Sequence, residues 1–312
     1  MEKFQVTILG CGSATPTTRH NGSSQVVNIR EKLYMIDCAE GTQVQMRANK
    51  LNYNKIYHIF ISHMHGDHCF GLTGLVSTMG LLGRTAPLYI WGPKDIKKIL
   101  QPQLDYFCKG QLYDVHINEI DTTTSTKIHE DKTMSVWTIP LYHRVPCCGY
   151  LFVEKPLLPH IRRECIEEYS IPICQINNIK NGMDFITPQG ERIPNNLLTY
   201  PADQPRSYAY CSDTRFNPAV AQRLKEICQE NNVELTLLYH EATFANDNIK
   251  RAEETFHSTA EEAATAAAMA GAKRLCIGHY SSRYIDETIL LSEAAAKFPE
   301  TILSKERMII DL

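Results

Sequence analysis

The chain has 312 residues, 43% of them hydrophobic, with a formal net charge of −3 and a pI near 6.5. That length and apolar content support a sizeable core in a single domain spanning residues 1–312. The acidic balance excludes a chain-wide polyanion-binding surface, which needs a basic excess, so any nucleic-acid contact must be local.

The N-terminus, MEKFQVTILG, passes from two charges straight into a strand pattern without the apolar core of a signal peptide. No uncharged apolar run approaches the ~20 residues needed to cross a bilayer, so no membrane association is expected. Eleven cysteines, an odd number with no Cys-x-x-Cys pair, fit reduced thiols in a cytoplasmic protein better than a disulfide framework.

In chain order, short β-rich runs predict strands at FQVTILG (4–10), KLYMID (32–37), KIYHIFIS (55–62), PLYIWG (87–92), SVWTIPLYH (135–143), SYAYCSD (207–213), ELTLLYH (234–240) and RLCIGHY (274–280). Helical patterns fall between them at 94–107, 218–230 and 258–270. In the last, Ser258 with Glu261 or Thr259 with Glu262 fits a capping box, and Gly271 stands where a helix stops. The alternation predicts an α/β protein with sheets flanked by helices. One stretch breaks the rhythm: residues 155–206 are proline-rich and lack apolar periodicity, as in an inserted flexible arm.

Residues 62–68 read SHMHGDH, directly after a strand pattern. A turn beyond a strand can aim closely spaced side chains at one point, and Gly66 would relax the backbone there. Imidazole and carboxylate ligands suit zinc and other borderline divalent ions. A merely histidine-rich polar loop would have to place His63, His65, Asp67 and His68 together by accident. Three further ligand types end apolar runs, His143, Asp213 and His279, where open α/β sheets build their sites. Seven ligands are enough for two ions.

The motifs ILGCGSATPTTR, MIDCAEGTQVQM, ISHMHGDHCFGLTGL, YCSDTR, HEATF, HSTAEEA and GHYSSRY, in that order, resemble the metallo-β-lactamase superfamily and within it the ribonuclease Z family. The resemblance implies an αβ/βα four-layer sandwich, two β-sheets packed face to face with helices on the outer faces. It implies one zinc ion on His63, His65 and His143, a second on Asp67, His68 and His279, and Asp213 between them. The same nitrogen and oxygen ligands would accept Mn2+ or another divalent ion.

The activity implied is removal of the 3′ trailer from precursor tRNA. Asp67 is then both ligand and proton acceptor, and His257 protonates the departing 3′ oxygen. His257 stands just ahead of the predicted helix start at Ser258, where free N–H groups and the helix dipole favour phosphate. Glu241 would orient His257, and Asp37 would brace a ligand histidine. His20, His58, His116, His129 and His160 lack such convergence and read as surface or satisfied core residues.

Members of the family work as homodimers whose arm clamps tRNA. Here the arm offers Lys155, Arg162, Arg163 and Lys180 against Glu164, Glu167 and Glu168, without a lysine-rich Gly-Pro pattern. Arg19 and Arg283 are further candidates for phosphate contacts, unless acidic neighbours claim them. Two rivals remain. The same ligands would serve a phosphodiesterase or hydrolase of a small substrate, whereas a metal-free scaffold would not have kept all seven.

Overall fold

The computed structural model describes residues 2–312. It contains two compact units, Glu2–Glu154 with Arg206–Leu312, and Lys155–Pro205. In chain order the larger unit first lays down β1 (Phe4–Gly10), β2 (Ser24–Ile29), β3 (Lys32–Cys38), α1 (Thr42–Ala48), β4 (Ile56–Phe60), α2 (Gly66–Cys69), α3 (Leu72–Leu81), β5 (Leu88–Pro93), α4 (Ile96–Phe107) and β6 (Val115–Ile120). Next come β7 (Lys127–Glu130), β8 (Met134–Pro140) and β9 (Cys148–Glu154).

The smaller unit holds β10 (His160–Ile161), α5 (Arg163–Glu168), α6 (Ile173–Lys180), β11 (Phe185–Ile186), β12 (Arg192–Ile193), α7 (Asn195–Leu198) and β13 (Thr199–Tyr200). The chain then completes the larger unit with β14 (Ser207–Cys211), α8 (Pro218–Glu230), β15 (Leu237–Glu241), α9 (Ile249–Thr255), α10 (Ala260–Ala270), β16 (Arg274–Gly278), α11 (Thr288–Lys297), β17 (Thr301–Leu303) and β18 (Ile309–Asp311).

Two seven-stranded sheets result, ordered β18-β1-β2-β3-β4-β5-β6 and β17-β16-β15-β14-β9-β8-β7. Each is mixed: β3 to β6 and β14 to β17 run parallel, and the remaining pairs are antiparallel. Successive strand residues point to opposite faces, and both faces of the first sheet are apolar. Val27, Ile29, Tyr34, Ile36 and Phe60 point to the shared core with the second sheet. Val26, Leu33, Met35, Ile59 and Ile61 pack beneath Met46, Leu75, Val76, Met79 and Leu100 of α1, α3 and α4. The four-layer expectation is met: on the second sheet, apolar residues of α8, α10 and α11 join the core. Tyr210 Oη donates to Asp37 Oδ2 at 2.7 Å, tying β14 in one sheet to β3 in the other.

The predicted strand ends need correction. Runs 135–143, 207–213 and 274–280 pair only as far as Pro140, Cys211 and Gly278, so His143, Asp213 and His279 lie beyond the ladder. A residue inside a ladder is confined to one face of its sheet, whereas one beyond it can turn over the edge. At 258–270 the helix starts at Ala260, and the capping box pairs Thr259 with Glu262 rather than Ser258 with Glu261. Thr259 N–H, Ala260 N–H and Glu262 N–H are bonded to Glu262 Oε2, Phe244 O and Thr259 Oγ1. The expected open anion site at this helix start is therefore largely closed by its own cap.

The smaller unit carries a core of its own: Cys165, Ile171, Ile179, Phe185, Ile193 and Leu198. Ile171 lies between α5 and α6, and the other five come one each from pieces of two to eight residues, so no piece is long enough to display a period. Within this unit β10 pairs with β13 and β11 with β12. Arg162 stacks over Tyr200 at 4.1 Å, while Arg163 is exposed.

Candidate metal centre

The loop after β4 and helix α2 carry His63, His65, Asp67 and His68, and the segments after β8, β14 and β16 bring His143, Asp213 and His279 to them. His63 Nε2 lies 3.1 Å from His65 Nδ1, which lies 3.2 Å from His143 Nε2. On the other side His68 Nε2 lies 3.3 Å from His279 Nε2. Asp213 joins the two groups: Oδ2 is 3.6 Å from His63 Nε2, and Oδ1 is 3.3 Å from His68 and 3.1 Å from His279. Asp67 Oδ2 sits 3.5 Å from His279 Nε2.

Which nitrogens carry protons follows from what each ring does with its other nitrogen. His68 Nδ1 faces Asp37 Oδ2 at 2.7 Å and His143 Nδ1 faces the Phe256 carbonyl at 3.0 Å; both oxygens only accept, so both Nδ1 atoms donate. The Ser62 hydroxyl gives its proton to Asp37 (2.9 Å) and accepts from His63 Nδ1 (3.1 Å). The Thr243 hydroxyl likewise gives its proton to Glu241 Oε2 (2.6 Å) and accepts from His279 Nδ1 (2.9 Å).

The four Nε2 atoms are thereby left as lone pairs aimed into the cluster. Facing lone pairs at such distances repel unless a cation lies among them. Two nitrogen ligands at about 2.0–2.1 Å in a tetrahedral set would stand about 3.3–3.4 Å apart, close to the spacings here. Asp213 Oδ1 is buried without a hydrogen-bond partner, which a cation would supply. The residues fit a divalent-metal centre.

Asp37 and His279 have left-handed backbones, φ 54° and 63°, as does Phe256 at 59°. Each costs on the order of 1–3 kcal/mol, offset by the bonds that hold these groups. Gly66 departs from expectation: its backbone is not left-handed, but a Cβ there would lie 2.3 Å from the Phe70 ring. Its role is to let that ring close over the α2 turn.

Electrostatics separate the members of the cluster. Burial holds His63 and His143 below the ordinary imidazole range. Burial also opposes charge on His68, but Asp213 and Asp37 outweigh it and hold that ring above its usual value.

His257 follows the same logic. Burial disfavours its charged form, yet Glu241, 2.9 Å from Nδ1, raises its pKa to about 9. Glu241 is saturated, taking Thr214 N–H on Oε1 and the Thr243 N–H and hydroxyl on Oε2. Asp37, expected to brace an unspecified ligand histidine, is hydrogen-bonded to His68, and Glu241 is hydrogen-bonded to His257.

Thr243, Ser62 and Ala14 were missed in the sequence. Ala14 N–H donates to Asp67 Oδ2 at 2.7 Å, a backbone contact with no residue-type signal. Arg144 was missed too; it follows His143 directly and lines a cavity of about 410 Å³ with His65, Asp67 and Phe70. Of the arginines considered for phosphate, the two outside the smaller unit are engaged within the protein. Arg19 pairs with Glu287 at 2.7 Å and with two backbone carbonyls, and Arg283 bonds Asn248 and lies over Phe244.

This sandwich with its histidine–aspartate cluster is of the metallo-β-lactamase fold. A Bacillus subtilis protein of that description, YhfI, superposes over the whole length of both chains with a TM-score of 0.68 at 15% identity. The family described as Anti-Pycsar protein Apyc1 matches residues 4–141, short of His143, Asp213, His257 and His279. Human tRNase Z, short form, superposes over 98% of each chain with a TM-score of 0.70 at 25% identity. Ribonuclease Z of Bacteroides fragilis (strain YCH46) is 54% identical over all 312 residues, covering both chains completely. The chain belongs to the ribonuclease Z family.

Proposed function

We propose that the chain is a metal-dependent endoribonuclease that removes the 3′ trailer of precursor tRNA, leaving a 3′-hydroxyl on the tRNA and a 5′-phosphate on the trailer. The observation that carries this reading is the pair of lone-pair clusters joined by Asp213, with a protonated histidine beside them. His63, His65 and His143 would hold one Zn2+, and Asp67, His68 and His279 a second, with Asp213 shared. When bound, such a pair supplies Lewis acidity toward the phosphate and makes water acidic enough to ionise near neutral pH.

Asp67 is positioned by Ala14 N–H to accept the proton of the attacking water. His257, charged through Glu241, stabilises negative charge on the phosphate and gives its Nε2 proton to the departing ribose oxygen. Asp37, Ser62 and Thr243 keep the ligand rings in the tautomers that present Nε2.

Arg162 and Arg163, on the smaller unit, are the arm residues we assign to tRNA phosphates, with Arg19 and Arg283 bracing loops beside the cluster. Leu81, Leu82, Tyr106, Phe107 and Leu112, at and just after the ends of α3 and α4, are strongly exposed apolar residues and support a homodimer. No helix among the described residues is long and apolar enough to cross a membrane, and all eleven cysteines are free, which favours the reducing cytoplasm.

Incubation of the purified protein with a 3′-extended precursor tRNA, with the product end mapped to the nucleotide, tests the proposal. Cleavage beside the discriminator nucleotide is expected. Hydrolysis of a generic phosphodiester without cleavage of the precursor would favour the small-substrate alternative.

A further inference from the structure

The cavity beside the metal cluster has contents that the metal chemistry leaves unused. Its lining includes Ala14, Pro16, Gly22, Ala39 and Glu40 together with Phe70 and Arg144. Phe70 is 75% exposed, an unusual state for a phenylalanine, although its ring is seated over the Gly66 backbone. Burial thus does not account for the ring, which lies against the Gly66 backbone at the start of α2.

Arg144 is exposed, follows His143 directly and lines the cavity together with His65, Asp67 and Phe70. Glu40 is a negative charge in the same lining, so a polyanion entering here is drawn toward Arg144 and repelled by Glu40.

We propose that this cavity is a nucleotide subsite adjoining the scissile phosphate, in which a base stacks on the Phe70 ring and a neighbouring phosphate pairs with Arg144. A π-face held beside a cation is the arrangement by which single-stranded nucleic acid is bound without base reading, because every base has a face to stack. The guanidinium can take two phosphate oxygens at once. Small walls of alanine, glycine and proline leave room for a flat ring. The inference rests on the nuclease reading above and adds which residues hold the RNA next to the cut.

The test uses precursor tRNA with a single abasic residue placed in turn on either side of the cleavage site. With intact precursor, Phe70→Ala is expected to lower kcat/KM about tenfold or more, the loss of one stacked base. With the abasic residue at the stacked position, wild type and Phe70→Ala should cut equally slowly, because the two losses remove the same contact. Phe70→Trp should restore cleavage of the intact substrate, and metal content should be unchanged in all variants. Arg144→Ala should reduce the salt slope of tRNA binding by about one.

Additive losses, or equal cleavage of intact precursor by wild type and Phe70→Ala, would overturn the subsite while leaving the nuclease reading intact. Failure of wild type to cut precursor tRNA at all would sink that reading instead.

Discussion

Thr243 Oγ1 lies 2.9 Å from His279 Nδ1, and because its own proton goes to Glu241 it can only accept from that ring. One hydroxyl therefore sets the tautomer of a metal-facing histidine and fills a lone pair of the carboxylate that charges His257. Thr243→Val keeps the shape and removes the hydroxyl. Metal affinity at the Asp67, His68 and His279 side is expected to fall about 10–100-fold, with Thr243→Ser restoring it. Competitive chelator titration reads this directly, and equal affinities in Val and Thr forms would contradict it.

His257 is charged through Glu241, and its Nδ1 lies 3.9 Å from Asp213 Oδ2. His257→Ala should keep metal content and lose about 10²–10⁴-fold in cleavage rate, the range for removing a general acid. Loss of bound metal instead would mean a structural role. Glu241→Gln should resemble it, since the amide no longer holds the proton on His257.

Cation removal should destabilise the fold as well as stop cleavage. With the ions gone, facing lone pairs and the unpartnered Asp213 Oδ1 remain buried. Calorimetry with and without chelator is expected to show a lower Tm for the stripped protein. Because protons and a cation compete for the same ligand nitrogens, and His68 takes up a proton more readily than an ordinary imidazole, metal affinity should fall as pH falls. An affinity constant across mildly acidic pH would contradict this.

His20 presents Nδ1 to Glu306 at 3.0 Å and Nε2 to Glu287 at 3.2 Å, so both nitrogens donate and the ring is cationic. Glu306 is the main cause of a pKa raised above the ordinary value, burial opposing it. The stabilisation is then fully present below the unfolded value of about 6.5 and is lost as pH rises through the higher folded value. Urea unfolding at successive pH values above about 6.5 should show wild type losing stability that His20→Gln never had. Parallel pH profiles for the two proteins would refute the pairing.

The Thr259 cap of α10 is a simpler test of local physics. Thr259→Ala removes the hydroxyl that accepts from Glu262 N–H. The expected loss is about 1 kcal/mol of unfolding free energy, read from the denaturation midpoint. Glu262→Ala, which frees only the reciprocal bond, should cost less.

Much of the fold was readable because alternation and capping are local. The eight expected strands and the helix at 218–230 are present, and the ligand residue types were recognisable where apolar runs ended. Strands such as Cys148–Glu154, buried at every position, carry no alternation and were passed over. The core of the smaller unit, scattered over short pieces, was invisible for a related reason.

What the sequence determined by itself is chemical: which side chains can bind a cation, and the family pattern they follow. What only the tertiary structure decided is the direction of each lone pair and proton. Asp37, Ser62, Thr243 and the Phe256 carbonyl choose those directions from different elements. A tautomer depends on the partner of the far nitrogen, and that partner is set by the three-dimensional packing of the two sheets rather than by neighbours along the chain.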